Sequence, residues 1–160
     1  KAIQYRNENK GTLEGFKEAT KISNDELLKL EVDVLIPAAL ENAITEKNVN
    51  SIKAKVIVEG ANGPTSHEAD SIIEKNGIIA VPDILANAGG VIVSYFEWVQ
   101  NRLGFKWTKS RVYRRSDSII KQSFNNVYSI SKKYKVSLRT AAYIAAIDKV
   151  SRTYLSLIHI

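Results

Sequence analysis

Ala54-Lys55-Val56-Ile57-Val58-Glu59-Gly60-Ala61-Asn62-Gly63-Pro64 starts as an apolar, β-branched run and stops abruptly in a loop of small residues. The same pattern stands on either side of it. Upstream, Val32-Asp33-Val34-Leu35-Ile36 is closed by Pro37; downstream, Ile78-Ile79-Ala80-Val81 is closed by Pro82-Asp83. Near-continuous apolar runs of this length read as strands buried on both faces, which is the condition of a parallel sheet. Parallel neighbours need crossover connections, and the order read here is helix, strand, helix, strand, helix, strand.

The helical segments carry their own end signals. Ser23 or Asn24 caps a helix whose first turn holds Asp25 and Glu26, with Leu27, Leu28 and Leu30 as its apolar face. Ser66 to Asn76 is helical in pattern, with Ser66 as N-cap, Ile72 and Ile73 turned inward and Gly77 as the stop. After Asp83 no strand pattern returns. Ala86 to Asn101 reads as one helix. Ser118 to Lys135 reads as a second, with Ile119, Ile120, Phe124, Val127, Ile130 and Tyr134 at helical spacing. Ser137 to Leu155 reads as a third. Tyr143, Ile147, Val150 and Tyr154 form one stripe on it, and Ala141, Ala142, Ala145 and Ala146 permit close approach to a neighbour. The fold class is therefore α/β: a partial Rossmann-type parallel sheet with crossover helices, followed by C-terminal helices.

Composition narrows the chemistry. The chain has 160 residues, 44% hydrophobic and 25% charged, which suits one packed domain. It has no Cys, so disulfides, thiolate metal sites and cysteine nucleophiles are excluded. Two His, far apart at 67 and 159, do not suggest a zinc site, and no metal is expected. No apolar run approaches the roughly 20 residues of a membrane span. Lys1 stands where an initiator Met would, which sets the expectation that the chain begins within a longer protein. The net charge of +6 collects in Lys106 to Arg115 and in Lys132, Lys133 and Lys135, beside helical patterns, as solvated faces do. Tyr113 is the only aromatic between Arg111 and Arg115, so no platform for stacked bases is evident, and nucleic acid is not expected as a partner.

Ligands of open parallel sheets bind at the carboxyl ends of the strands. There the sequence places Pro37-Ala38-Ala39, Gly60 to Pro64, and Pro82-Asp83. Small residues permit close backbone approach to a flat ligand, and the Asn62 amide suits a ribose or nicotinamide group. The same residues equally suit a plain tight turn, with Asn62 tolerating a left-handed conformation. Asn87-Ala88-Gly89-Gly90-Val91 is read as a helix start with two consecutive glycines, each costing roughly 1 kcal/mol against Ala inside a helix. Close contact with a ligand or strand would account for them. Asn87, Val91 and Ser94, at i, i+4 and i+7, are expected on one helix face. They are either ordinary packing or the amide, methyl wall and hydroxyl of a small polar pocket.

Asp33 to Ala39, Glu59 to Thr65, Pro82 to Val91, Ser94 to Asn101 and Leu138-Arg139-Thr140-Ala141-Ala142-Tyr143, in this order, make the sequence recognisable. It resembles the glutamate/leucine/phenylalanine/valine dehydrogenases, and within them the glutamate dehydrogenases, from about Tyr5 to Tyr154. The resemblance implies that residues 1–155 are the later part of an NAD- or NADP-binding domain plus C-terminal helices. It implies NAD(P)-dependent oxidative deamination of glutamate to 2-oxoglutarate and ammonia, in a homo-oligomer, commonly a hexamer; the Cys-free composition fits the expected cytoplasmic setting. It matches Pro37, Ala38, Asn62 and Asn87 to cofactor positions and Val91 and Ser94 to the substrate side-chain pocket.

The departures matter as much. The family's catalytic lysines and aspartate lie in an N-terminal substrate domain that has no counterpart here, so no catalytic residue is assigned. No G-x-G-x-x-G occurs, and three strands are about half of a complete doubly wound sheet. Ser110 to Arg115 is more basic than the family pattern, and Ser156 to Ile160 form an atypical tail. A leucine, valine or phenylalanine dehydrogenase, or a non-catalytic dinucleotide-binding subunit, is the alternative reading.

Overall fold

The computed structural model describes residues 1–158. Its centre is a sheet of three parallel strands in the order β1 (Val34–Leu35), β2 (Val56–Val58), β3 (Ile79–Val81). Val34 pairs with Val56, and Val56, Ile57 and Val58 pair with Ile79, Ala80 and Val81. The strands are shorter than their apolar runs. Around them lie α1 (Ala2–Glu8), α2 (Asn24–Leu28), α3 (His67–Lys75), α4 (Asp83–Ala86), α5 (Gly89–Leu103), α6 (Lys109–Tyr134) and α7 (Leu138–Ile158). The tail residues 159 and 160 lie outside the described residues.

Side-chain alternation along the strands divides the core in two. Ile57 joins Ile44, Val49, Ile52, Ala54, Ala69 and Ile73 on one face of the sheet, with Ala80 against them. The next residue of β3, Val81, packs instead against Leu85, Val127, Leu138, Ala141 and Ala142. The result is helices on both faces of the parallel sheet, with α6 and α7 packed through the expected small residues Ala141 and Ala142. The strands are less buried than their apolar runs suggest, with Ile57 buried and Val34 and Ile79 exposed. The Tyr143, Ile147, Val150 and Tyr154 stripe of α7 is exposed instead.

Local chemistry explains each boundary. Ser23 and Glu26 form a reciprocal capping box at the start of α2. Ser66 accepts from Ala69 N–H at the start of α3, and Gly77, at φ +71°, ends the turn after it. Between β2 and β3 the crossover is helical, as expected. Between β1 and β2 it is not: a single 3-10 turn at Val49–Ser51 suffices. There Asn48 bonds the Thr45 N–H and the Ala43 carbonyl, and buried Ile44 and Val49 fill the space a helix would occupy.

Two helices differ from their sequence patterns. α6 begins at Lys109 rather than Ser118, because Thr108 caps it by accepting from Arg111 N–H. The basic run from Lys109 to Arg115 is thus the first turns of the helix. Arg111 and Arg115 each lay a guanidinium 4.6 Å from the Trp107 ring centre, which packs on buried Phe96. The segment read as one helix from Ala86 is two, broken at Asn87 and Ala88. Asn87 caps the C-terminus of α4 and turns its side chain to the loop after β2, while Ala88 opens α5.

Candidate functional site

Two of the loops at the carboxyl end of the sheet meet through their backbones. The Gly60 and Ala61 N–H groups both donate to the Pro37 carbonyl, at 3.0 and 2.9 Å. Pro37 is buried and Ala38 is exposed beside it. A Cβ on Gly60 would stand 3.0 Å from the Ala38 Cβ, so glycine is favoured there by close approach rather than by φ. Gly63, at φ +53°, is the residue that makes the left-handed turn. Asn62 does not adopt a left-handed conformation, so the backbone gives no reason for an asparagine at this position.

The third loop closes on the second by side chains. Asn87 Nδ2 donates to Asn62 Oδ1 at 2.6 Å and to the Ala61 carbonyl at 3.4 Å. Among the described residues, Asn62 Nδ2 and Asn87 Oδ1 have no hydrogen-bond partner. One spare donor and one spare acceptor therefore sit side by side, complementary to an amide. They lie in an open groove walled by Ala39, Leu40, Glu41, Gly60, Ala61, Asn62, Asn87 and Val91.

Of the six sequence-selected residues, Asn62, Asn87 and Val91 are brought together in this groove. Pro37 and Ala38 do not line it but contact Gly60 and Ala61, which do. Ser94 lies one turn further along α5, exposed and outside the groove lining. Asn87 does not share a helix with Val91 and Ser94, as the spacing had suggested, because it terminates α4. The paired glycines also gain a specific reading. A Cβ on Gly90 would meet nothing within 4 Å, and one on Gly89 would make ordinary contact with Ile120. Packing within the chain therefore asks for neither glycine.

Beneath the groove lies a polar network that the sequence reading did not single out. Glu59 is fully buried, and its carboxylate accepts from Arg139 Nη2 at 2.6 Å and from the Asp83 backbone N–H at 2.9 Å. Arg139, at the start of α7, also bonds Asp70 through Nε at 2.9 Å and stands 3.7 Å from Asp83. Asp83 in turn accepts from Gly63 N–H at 2.8 Å and from Ile84 N–H at 2.7 Å. Burial works against the charge of Arg139, but its hydrogen bonds to Glu59 and Asp70 outweigh this and raise its pKa above the ordinary arginine value. Removing one partner of a buried pair of this kind typically costs roughly 3–5 kcal/mol. The sequence signal was a Glu placed directly after the apolar run Val56-Ile57-Val58, where an unpaired charge could not stay.

No group of three or more His, Asp or Glu among the described residues is arranged to hold a metal ion, and none of their helices is long and apolar enough to cross a membrane.

Comparison with known proteins bears on this geometry. The family model described as glutamate/leucine/phenylalanine/valine dehydrogenase matches residues 1–156. A glutamate dehydrogenase of Thermotoga maritima is 53% identical over 149 residues, covering 93% of this chain and 36% of that protein. An NAD-specific glutamate dehydrogenase of Clostridioides difficile is 46% identical, covering 93% of this chain and 35% of that protein. Among solved structures, the hetero-hexameric glutamate dehydrogenase of Thermus thermophilus, in a leucine-bound form, superposes with a TM-score of 0.85 at 27% identity. It covers 94% of this chain and 35% of that one. The chain thus spans about a third of the length of the relatives it matches.

Proposed function

Because this chain belongs to the glutamate/leucine/phenylalanine/valine dehydrogenase family, we propose that it is the later part of the dinucleotide-binding domain of an NAD- or NADP-dependent glutamate dehydrogenase. The parent enzyme would interconvert glutamate with 2-oxoglutarate and ammonia. Residues 1–155 supply the cofactor half and the C-terminal helices, and the proton-transferring groups belong to a substrate domain outside this chain. A hexameric assembly and a cytoplasmic setting are part of the proposal. The first is supported by the hexameric relative, and the Cys-free sequence is compatible with the second.

The observation that carries the reading is the Asn62–Asn87 pair, with its spare donor and acceptor, at the carboxyl end of a parallel sheet. A dinucleotide fits the residues present. Gly60 lets the first two loops approach closely, Asn62 and Asn87 would hold a nicotinamide carboxamide, and Pro37 and Ala38 fix the first loop against the second. When bound, the dinucleotide supplies the hydride acceptor. The task of these loops is to hold its reactive ring against the substrate carbon and exclude water, which is worth more to the rate than any single contact. Val91 would pack on the methylenes of the substrate side chain, and Ser94 would donate its hydroxyl to the terminal carboxylate.

The test is an assay of the full-length protein with glutamate, leucine, valine and phenylalanine in turn. Each is paired with NAD+ and with NADP+, and reduced nicotinamide is followed by absorbance. Turnover on glutamate well above the others is expected. Preference for an apolar amino acid would overturn the substrate, and failure with both cofactors would overturn the reading as a whole.

A further inference from the structure

One guanidinium serves three carboxylates beneath the groove. Arg139 faces Glu59, Asp70 and Asp83, at 2.6, 2.9 and 3.7 Å. Such a cluster keeps excess negative charge, and for stability alone an apolar replacement of the whole set would serve as well or better. What distinguishes this network is where its bonds end. Glu59 uses one oxygen on Arg139 and the other on the Asp83 backbone N–H, which is the first residue of α4. Asp83 uses one oxygen on the Ile84 N–H and the other on the N–H of Gly63. Gly63 adjoins Asn62, and the far end of α4 is Asn87. Both members of the groove pair are therefore held from below by the same carboxylates, and those carboxylates are held by Arg139.

Resting on the dinucleotide reading above, we propose that Arg139 is a positioning residue for the cofactor groove, fixing the Asn62–Asn87 pair through Glu59 and Asp83. It touches neither cofactor nor substrate. A lysine at the same place would keep the charge but not the planar fork that reaches Glu59 and Asp70 from separate nitrogens. Asp83 is the link that can be cut with the least disturbance of the buried part. Asp83→Ala leaves the Glu59–Arg139 bond and the backbone N–H of residue 83 in place, and removes the acceptors of Gly63 and Ile84 together with the 3.7 Å ion pair to Arg139.

The experiment uses the full-length enzyme and four forms: wild type, Asn87→Ala, Arg139→Lys and Asp83→Ala. NAD+ and NADP+ binding is measured by quenching of intrinsic fluorescence, the Gly63 amide by hydrogen exchange, and folding by thermal melting. For Asp83→Ala the expected result is a dinucleotide Kd raised by about tenfold, as for loss of a well-placed hydrogen bond. The Gly63 amide should exchange faster, and the melting temperature should stay near wild type. Arg139→Lys should weaken binding at least as much, with the glutamate KM less affected than the cofactor Kd. Wild-type affinity in both variants, alongside weakened binding in Asn87→Ala, would overturn the positioning role and leave the groove assignment standing. An Asp83→Ala protein that does not fold would overturn it too, because the network would then carry the fold rather than the groove. A wild-type enzyme that binds neither dinucleotide would overturn the underlying reading itself.

Discussion

Asn87 reaches across 2.6 Å to Asn62, joining the end of α4 to the loop after β2 side chain to side chain. Neither asparagine is required by its backbone, and each keeps one polar atom directed at no other described residue. In the full-length enzyme, Asn87→Ala should therefore cost cofactor binding more than stability. Loss of one such hydrogen bond is worth on the order of 1 kcal/mol, about fivefold in KM for the dinucleotide. Steady-state kinetics with cofactor varied at saturating glutamate would show it, and an unchanged KM and kcat would remove Asn87 from the site.

Gly60→Ala tests the close approach of the first two loops. Its new methyl would stand 3.0 Å from the Ala38 Cβ, so one loop must move by a few tenths of an ångström. Overpacking of this kind costs roughly 1–3 kcal/mol. A lower melting temperature together with weaker cofactor binding is expected, and the double variant Gly60→Ala with Ala38→Gly should recover part of both.

Gly90→Ala separates stability from function. The methyl would meet nothing in this chain, and alanine favours the helix by up to about 1 kcal/mol. The melting temperature should hold or rise while kcat/KM falls several-fold, if that space belongs to bound ligand or to the closing substrate domain. Activity equal to wild type would mean that the glycine pair has no functional reason.

Ser94→Val addresses substrate choice. Its hydroxyl is free on the surface of α5, one turn from Val91. A hydrogen bond to a charged acceptor is worth roughly 1.5–3 kcal/mol, so the glutamate-to-norvaline ratio of kcat/KM should fall by about tenfold or more. A constant ratio would assign Ser94 to the helix surface.

The capping box predicts a local response to acid. The Glu26 carboxyl is held below its ordinary value by the Ser23 backbone N–H and then by the Ser23 hydroxyl. A depressed folded-state pKa means that its contribution to α2 is complete above the ordinary carboxylate range. That contribution is lost as pH falls through the lowered value. Chemical shifts of the Ser23 amide, followed down in pH, should report this transition, and Glu26→Gln should abolish it.

Sequence reading reached the strands, the prolines that follow them and the caps at Ser23 and Ser66, because each depends on neighbours a few residues away, though it missed the equally local cap Thr108. It placed Ser66, Gly77 and Ala141 correctly for that reason. It failed where distant partners decide. Asn87 leaves the helical path because it is bonded to Ala61 and Asn62, and the β1–β2 crossover needs no helix because Ile44 and Val49 already fill the space. Arg139 lay inside a recognised block, yet its three carboxylates come from positions 59, 70 and 83. No periodicity links those positions. In the candidate site, residue types were legible, but which of them meet was not: Asn62, Asn87 and Val91 share the groove, and Ser94 does not.

The Glu59–Arg139 bond closes a loop of 80 residues, and that span orders events in time. A growing chain makes β2 and the Asn62 loop long before α7 exists, and for that interval the carboxylate of Glu59 has no counter-ion. It must stay hydrated, which is incompatible with the dry position it finally occupies. Long-range closures of this kind are slow because their entropy is lost before any contact compensates it. The groove is thus a late product of synthesis: protection of the Gly63 amide should appear together with that of α7 in pulse-labelled refolding, and not with β2.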